Sequence, residues 1–452
     1  MGARPAGVVA VTGPPGTALD WVEVPIGLDA ERWATRGGLR RVLVLVHTVT
    51  AGQRVLDVVG LLEADLRVQV VFTQAPDVFG NGVREFLRSV EGVAVSWQQA
   101  AATRFDLAIA ASTGGIDRVH APLVLLPHGA GFNKLAGGAP SGPAPRDSFG
   151  LDRQRLVRDG RVLPSLLVLA HEEERRRLAH SCPEALPAAA VLGDPAHDRL
   201  VASLPFRRRY RTALGLGERD RLIVLASTWD SGSLLGRGAE LVGRLLAETG
   251  AAPRGHDRVV MLLHPNAWYA HGGWQIRAWL AGPIRAGLRL LPPEAEWRAV
   301  LCAADVVIGD HGSATLYATL TGAPVVLSCP PSAAVAPESP MAALAAHAPV
   351  LDHGRPLLPQ LAAVSAESGD RVRASVAHRI TSAPGEFAAR TRTALYRLLG
   401  LTEPGTPARL DPVPALAVPV PTARAGADRH PGDARRPRRP KRRKPARRPR
   451  HA

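Results

Sequence analysis

The stretch VVIGDHGSATLYATLTGAPVVL, which runs from Val306 to Leu327, predicts two buried strands joined by a short helix. Both ends are continuous apolar runs, which are typical of strands in a parallel sheet covered on both faces. Between them lies the polar turn Asp310–Ser313, where the first strand ends and the helix begins. A turn that served only the fold would need a glycine and one capping residue. The additional polar residues therefore indicate a binding site at this strand end.

The same alternation of apolar runs and helical patterns extends along the chain on both sides of this stretch. Twelve apolar runs predict strands, in two series. The first series is RVLVLVHT (41–48), RVQVVFTQ (67–74), GVAVSW (92–97), FDLAIAAS (105–112), PLVLLPHG (122–129), PSLLVLAH (164–171) and AAVLGD (189–194). The second series is RLIVLAST (221–228), DRVVMLLHP (257–265), LRLLPP (288–293), ADVVIGD (304–310) and APVVLS (323–328). Strands that alternate with helices predict an α/β fold with two Rossmann-like domains.

The predicted parts of the chain differ in composition. Residues 1–37 are expected to be loosely structured, 38–204 and 205–400 to form the two domains, the second with trailing helices, and 401–452 to form a disordered Pro/Arg-rich tail. Of the net charge of +16, eleven positive charges lie in residues 435–452, which leaves +5 for the other 434 residues. The basicity therefore belongs to the tail. We expect the tail either to be simple solubilising disorder or to bind an anionic membrane surface or nucleic acid.

The sequence argues against several classes of protein. No apolar run reaches the roughly 20 residues of a membrane-spanning helix, and the N-terminus has no signal-peptide pattern. With three widely separated cysteines, this predicts a cytoplasmic protein with free thiols. The segment VTGPPGTALD (11–20) begins like a P-loop but lacks the lysine and hydroxyl that an NTPase needs. No metal-binding motif is present, and no cofactor is expected.

Polar residues follow predicted strand ends in both halves of the chain. They are His47, Ser112 and His128 in the first half and Thr228, His264 and His311 in the second. Ligands of open α/β sheets bind beyond the carboxyl ends of the strands, so we expect these side chains to surround one cleft. The structural alternative is that strand ends are simply where polar residues begin.

Each residue of the polar turn suits a diphosphate in a different way. Gly312 would let the backbone approach the ligand, and Ser313 is expected to cap the helix and, with Thr315, to supply hydroxyl donors. His311 can donate when protonated. Asp310 would repel phosphate, so we expect it to orient His311 or to accept a loop amide. An ordinary capped helix is the alternative.

The segment PHGAGFNK (127–134) is the counterpart of this turn in the first half. His128 follows a buried strand and precedes flexible glycines, which suits a general base on an acceptor hydroxyl. Lys134 is the one lysine before residue 441 and would reach a phosphate oxygen. His47, in HTVTAGQR (47–54), is a second candidate base, and His264, followed by Pro265, is a third catalytic candidate. A purely structural role at a strand end remains the alternative for His128 and His47.

Four motifs in this order resemble those of the CDP-glycerol glycerophosphotransferases, which extend teichoic acid polymers. That family has a His-Gly followed by a lysine, an Ala-Pro-Thr-Trp-Arg segment, a His-Pro, and an Asp-Tyr-Ser-Ser turn before a helix. The matching positions are His128, Gly129 and Lys134; Ala226 to Asp230; His264 and Pro265; and Asp310 to Ser313. Ser227 replaces the proline, Asp230 the arginine, and His311-Gly312 the Tyr-Ser pair. The turn is also similar to that of UDP-sugar GT-B transferases and UDP-GlcNAc 2-epimerases.

The resemblance implies a GT-B fold, in which an acceptor-side and a donor-side domain face a cleft. It implies transfer of a glycosyl or glycerol-phosphate group from a CDP-alcohol or UDP-sugar to an acceptor hydroxyl, in cell-envelope polymer synthesis. The leaving diphosphate would bind Lys134, Thr228 and residues 310–315, with help from His264. The protein would be cytoplasmic or peripheral at the inner face of the plasma membrane. The alternative is a noncatalytic GT-B-like binding protein whose basic tail binds nucleic acid or anionic membrane, which the missing arginine favours.

Overall fold

The computed structural model describes residue 24 and residues 34–137, 147–251, 255–330, 335–364 and 366–416. Most of the predicted N-terminal segment 1–37 and the whole basic segment 435–452 lie outside these residues. The predictions of loose structure and disorder made for those two segments therefore stay predictions.

The first domain is built on a seven-stranded parallel sheet. The strands of this half are β1 (Arg40–Val46), β2 (Val68–Gln74), β3 (Ala94–Val95), β4 (Leu107–Ala110), β5 (Leu123–Leu125), β6 (Val157–Arg158), β7 (Arg161–Val162), β8 (Leu166–Leu169) and β9 (Ala189–Val191). The order in the sheet is β3-β2-β1-β4-β5-β8-β9, and β6 and β7 form a separate antiparallel pair. All seven strands predicted for this half are present.

The second domain is built on a five-stranded parallel sheet. Its strands are β10 (Arg221–Ser227), β11 (Asp257–Leu263), β12 (Arg289–Leu290), β13 (Val306–Gly309) and β14 (Val325–Leu327), in the order β12-β11-β10-β13-β14. In each sheet the chain first adds strands on one side of its first strand and then on the other. Each strand order therefore reverses next to β1 and next to β10, and such reversals leave a crevice beyond the strand ends.

The helices cover both faces of the two sheets. In the first half they are α1 (Val49–Val59), α2 (Val83–Val90), α3 (Trp97–Ala102), α4 (Arg153–Leu156), α5 (Glu172–Ser181), α6 (Pro195–Ser203) and α7 (Arg207–Ala213). In the second half they are α8 (Leu234–Ala251), α9 (Pro265–His271), α10 (Gly273–Trp279), α11 (Ala281–Arg285), α12 (Trp297–Ala303), α13 (Ser313–Ala318), α14 (Pro340–His347), α15 (Leu357–Ala363), α16 (Ala366–Ile380) and α17 (Phe387–Leu399). Within the part of the chain that the structure describes, no helix is long and apolar enough to cross a membrane.

Alternate residues of each central strand enter different hydrophobic clusters. In β1, Val42 and Val44 pack in one cluster and Leu43 and Leu45 in another, and all four are fully buried. The residues of β10 alternate in the same way between two further clusters. Because successive side chains of a strand point to opposite faces, each sheet is covered on both sides. This explains why the strands are continuous apolar runs in the sequence.

Two helices pack against the sheet of the opposite half of the chain. Helix α6 follows the last strand of the first sheet, yet Ala196 and Leu200 pack in the core of the second domain. Helix α17 follows the second sheet, yet Phe387 and Leu395 pack in the core of the first. The chain therefore crosses between the domains twice, and the predicted division at residues 204–205 stays a proposal.

Residues 401–416 differ from the predicted disordered tail. Val413 is 1% exposed, and its N–H donates to Ser203 Oγ at 2.9 Å while its carbonyl accepts from Tyr210 Oη at 2.8 Å. Arg67 Nη2 donates to the carbonyl oxygen of Thr402 at 2.9 Å. The Pro-, Ala- and Arg-rich composition of this segment did not predict these contacts, because they depend on backbone atoms and on one buried valine.

A buried ion network joins the two domains at the middle of α1. Arg54 donates to Asp194 Oδ1 at 3.2 Å and to Tyr317 Oη at 2.8 Å, and the Tyr317 hydroxyl donates to Asp194 Oδ2 at 2.7 Å. Arg54 and Asp194 follow strands of the first sheet, whereas Tyr317 lies on α13. A buried charge requires such partners, because its removal from water costs several kcal/mol.

One turn further along α1, Asp57 makes a second link. It accepts from Arg199 Nη1 at 2.6 Å and from Arg298 Nη1 at 2.9 Å, and Arg298 also donates to Glu296 at 2.7 Å. Arg298 belongs to α12 of the second domain. These positive neighbours hold the pKa of Asp57 below its usual value, although burial alone would raise it. One face of α1 therefore carries two links between the domains, the hydrogen bond of Arg54 to Tyr317 and the ion pair of Asp57 with Arg298.

Replacing Arg54 with methionine should lower the free energy of unfolding by about 3–5 kcal/mol, because Asp194 would remain buried without its counter-charge. Tyr317→Phe should cost about 1–2 kcal/mol, since Asp194 loses one donor but keeps Arg54. Urea unfolding measures both changes. The matched control is Arg88→Met, which removes half of an exposed ion pair with Glu85 and should cost less than about 0.5 kcal/mol. A loss for Arg54→Met no larger than that of the control would contradict the role of the network.

Candidate functional site

A cleft of about 620 Å³ lies between the two sheets, beyond the ends of their central strands. Both domains contribute to its lining. Nine of the ten predicted site residues line it, namely His128, Lys134, Thr228, His264, Asp310, His311, Gly312, Ser313 and Thr315. The tertiary structure therefore brings together side chains that are almost 200 residues apart in the sequence.

His128 stands within the cleft in the loop after β5. Its Nδ1 lies 3.2 Å from the carbonyl oxygen of Ala111. A carbonyl can only accept, so Nδ1 carries the hydrogen, and Nε2 of the neutral ring keeps its lone pair. Although the ring is open to water in the cleft, enclosure by both domains lowers its pKa, and the positive charges of Arg54 and Lys134 act in the same direction. His128 is therefore neutral at physiological pH, with Nε2 able to accept a proton.

His264 has the opposite hydrogen arrangement. It caps α9, and its Nδ1 accepts from the backbone N–H of Asn266 at 3.1 Å. Nε2 must then carry the hydrogen of the neutral ring. Burial lowers the pKa of His264 to about 3, and the positive charge of Lys134, and of His128 when it is protonated, adds to the effect. The cleft thus contains one neutral histidine that accepts at Nε2 and one that donates at Nε2.

Asp310 is the hydrogen-bond acceptor that holds the polar turn. It is 1% exposed, and its Oδ2 accepts from Thr228 N at 2.7 Å, from Thr228 Oγ1 at 2.8 Å and from Leu234 N at 2.9 Å. Its Oδ1 accepts from Gly312 N at 3.0 Å. Of the two roles expected for Asp310, the structure therefore has it accepting loop amides. The carboxylate joins the turn after β13 to the loop after β10.

The start of α13 differs from the predicted capped helix. The cap residue is Gly312, and Ser313 is the first residue of a helix of only six residues, too short for a strong dipole. Ser313 Oγ accepts instead from Ala130 N of the first domain at 3.1 Å. Packing requires a glycine at position 312, because a Cβ there would lie 2.6 Å from Thr228 Cγ2. Thr315 Oγ1 is buried and has no hydrogen-bond partner within the described part of the chain.

Lys134 and His311 meet at Asp230, the aspartate that replaces an arginine of the resembled family. Lys134 Nζ lies 3.9 Å and His311 Nε2 lies 3.5 Å from Asp230 Oδ2. Lys134 Nζ also lies 5.6 Å from the ring centre of Trp229, within range of a cation–π contact. The carboxylate that replaces the family's arginine therefore faces Lys134 and His311, two residues that the sequence predicted to bind phosphate.

His47 is the one predicted site residue that does not line the cleft. It is fully buried, and its Nε2 lies 2.8 Å from the carbonyl oxygen of Gly114. Burial lowers its pKa. An acceptor hydroxyl in the cleft has no access to the ring, so the structure removes His47 from the candidate bases. The sequence showed that His47 follows a strand but not that the loop containing Gly114 covers its ring.

Four cleft residues were missed by sequence reasoning: Arg54, Asp57, Arg298 and Tyr317. An arginine is unremarkable in a chain in which almost every cation is arginine, so only the fold reveals these positions. The charged lining consists of three cations and four carboxylates, namely Arg54, Lys134 and Arg298 against Asp57, Asp77, Asp230 and Asp310. Nowhere in the described ranges do three His, Cys, Asp or Glu side chains form a group that could hold a metal ion.

The lowered pKa of His264 predicts a pH-dependent stability. The pKa of His264 is about 6.5 in the unfolded chain and about 3 in the folded protein. At a pH between these values only the unfolded state binds the proton, so the free energy of unfolding falls as the pH drops below 6.5. His264→Asn removes the group that binds this proton but retains a side chain that can cap α9. Urea unfolding at pH 7.5 and 5.5 should show a shallower pH slope for the variant, by up to about 1.4 kcal/mol per pH unit. Equal slopes would mean that His264 is not held neutral.

Comparison with known proteins bears on the fold. No protein-family model matches the sequence, and no curated protein sequence matches it. Among solved structures, a His-to-Ala variant of the wall teichoic acid polymerase TagF matches with a TM-score of 0.54 at 10% identity, covering 80% of this chain and 88% of that chain. A His-to-Asn variant of TagF soaked with CDPG matches with a TM-score of 0.53 at 11% identity and covers the same shares, 80% and 88%.

A second kind of structure is also similar. UDP-GlcNAc 2-epimerase from Neisseria meningitidis, bound to UDP-GlcNAc, matches with a TM-score of 0.49 at 14% identity, covering 80% of this chain and 100% of that chain. At these identities the likeness concerns the fold, and the argument for a shared fold rests on the TagF structures. The two parallel sheets and the TagF matches show that the chain has the GT-B fold, as the motif resemblance implied.

Proposed function

We propose that the protein is a transferase that moves a glycosyl or glycerol-phosphate group from a nucleotide-activated donor to an acceptor hydroxyl. The observation that carries the proposal is the pair of neutral histidines in one cleft, His128 with a free Nε2 lone pair and His264 with an Nε2–H. Such a pair can remove a proton from one substrate and donate a hydrogen bond to the other. The GT-B fold, and the TagF structure soaked with CDPG, support a nucleotide donor in general.

In the proposed reaction His128 acts as the general base. Nε2 takes the proton of the acceptor hydroxyl while the acceptor oxygen forms a bond to the transferred group. In glycerol-phosphate transfer, that bond forms at the β-phosphorus and the bond to the nucleotide's bridging oxygen breaks. In glycosyl transfer, the bond forms at the anomeric carbon and the nucleoside diphosphate leaves. The lowered pKa of His128 keeps the accepting form populated at neutral pH.

The second domain is proposed to hold the donor. The leaving phosphate gains negative charge, and fixed donors that face it would stabilise the transition state. The candidates are His264 Nε2–H, the Lys134 ammonium, His311 and the Ser313 hydroxyl, whereas the predicted Thr315 hydroxyl is fully buried against Gly309. Thr228 and Asp310 act through the turn that they hold together, as positioning residues. Gly312 keeps that turn close-packed.

The noncatalytic binding role remains the second candidate. Cleft carboxylates outnumber cations by four to three, and Arg54 and Arg298 are already engaged by buried acids. Such a lining holds a polyanion less strongly than a cationic one would. A protein that binds nucleotides in this cleft without turning them over would fit the same charge balance.

The two candidates differ in what His128→Asn should do. The donor is first identified by thermal stabilisation of the wild type with a panel of CDP-alcohols and UDP-sugars. For a transferase, the variant should lose about 10²- to 10⁴-fold in kcat/KM while its Kd for the donor changes little. The wild-type kcat/KM should fall on the acid side with a midpoint below 6.5. The value of kcat/KM falls at acid pH because protonation of His128 removes the base.

The matched control is His120→Asn, which alters an exposed histidine outside the cleft and should leave kcat/KM unchanged. Donor binding without turnover across the panel would favour the binding protein. A fully active His128→Asn variant would contradict the assignment of the base.

Association of the tail with polyanions is a separate proposal that rests on charge alone. Residues 435–452 carry eleven Lys or Arg and no acidic residue, so any binding should be electrostatic and steeply salt-dependent. Deleting residues 433–452 should abolish low-salt binding to anionic vesicles and to DNA, and should leave the unfolding temperature unchanged. Stronger binding to vesicles than to DNA at about physiological salt would favour a role at the inner face of the plasma membrane, and stronger binding to DNA would favour a nucleic-acid role. Retained binding after deletion would refute the proposal.

A further inference from the structure

Asp230 lies between two basic side chains that come from different domains. Its Oδ2 is 3.9 Å from Lys134 Nζ in the first domain and 3.5 Å from His311 Nε2 in the second. All three residues line the cleft. A single carboxylate oxygen thus faces two of the side chains that the proposed function gives to the donor phosphate, Lys134 and His311.

The position of Asp230 is set by its own turn. Asp230 Oδ1 accepts from Gly232 N at 2.9 Å, and its carbonyl oxygen accepts from Ser233 N at 3.0 Å. These bonds fix the carboxylate in the loop after β10, and they leave Oδ2 facing Lys134 and His311. The arrangement is therefore built into the local backbone.

We propose that Asp230 is an internal substitute for a ligand phosphate, and that a phosphate must replace its carboxylate at Lys134 and His311 in order to bind. The inference rests on the proposed function, since it concerns the same cleft. It assigns Asp230 a role in specificity: the residue lowers the affinity of the cleft for phosphate ligands.

The distances show that the exchange is feasible. Both separations exceed hydrogen-bond length, so the contacts are ionic and loose. The side chain of Lys134 is 45% exposed and that of Asp230 is 33% exposed, and ion pairs of this kind contribute little to stability. A phosphate group carries more charge and more acceptor oxygens than a carboxylate, so it can bind both Lys134 and His311 in place of Asp230.

The test measures the affinity of the full-length protein for inorganic pyrophosphate, the probe, by titration calorimetry at low salt. Asp230→Asn keeps the shape of the side chain and removes its charge, and should tighten pyrophosphate binding by about threefold to tenfold. Asp77→Asn is the matched control. It removes one negative charge from the same cleft, but its carboxylate is bonded to the N–H of Phe79 and makes no ion pair in the described structure, so its effect should be smaller.

A double-mutant cycle separates local exchange from a general change in charge. Lys134→Met alone should weaken binding, and in its presence Asp230→Asn should tighten binding less than it does in the wild type. Equal or weaker binding by Asp230→Asn, or an effect matched by Asp77→Asn, would overturn the inference. Pyrophosphate binding with these outcomes, but no turnover of any donor, would refute the proposed transferase and leave the inference about Asp230 intact.

Discussion

Arg54 places a permanent positive charge in the interior of the protein, and the meeting of the two domains depends on how that charge is neutralised. A guanidinium does not release its proton at any physiological pH, so its burial requires acceptors of opposite charge at hydrogen-bond distance. Asp194 supplies a carboxylate and Tyr317 supplies a hydroxyl from the other domain. Arg54 also donates to the carbonyl oxygen of Gly129, the residue after His128. The same side chain therefore joins the domains and anchors the loop that carries the candidate base.

The chemical state of the two cleft histidines follows from the backbone around them. His128 lies opposite a carbonyl oxygen and His264 lies opposite an N–H group, and these neighbours decide which ring nitrogen is free. Enclosure then disfavours the charged form of both rings. Neither effect needs a charged side chain in contact with the ring. A base and a donor can thus stand in one cleft although the two residues have the same chemistry in isolation.

Residues that differ from the motifs of the resembled family make contacts of their own in this structure. Asp230 stands in place of an arginine and faces Lys134 and His311, which would otherwise be free for a ligand. Gly312 stands in place of a serine and lets the turn pack against Thr228. Asp310, which matches the motif, is fully occupied by the hydrogen bonds of the turn. The motif resemblance thus identified the location of the site, while the assignment of roles within it depended on contacts.

The sequence alone determined the fold class, the twelve predicted strands and nine of the ten residues predicted for the cleft, since apolar periodicity marks strands and ligands bind beyond their ends. It failed for His47, because the strand pattern does not show that a loop covers the ring. It also missed Arg54, Tyr317 and the role of Asp230. Their partners lie 75 to 263 residues away, and pairing over such separations leaves no local pattern. The tertiary structure alone decided which charges are neutralised, and therefore which polar groups remain available to a ligand.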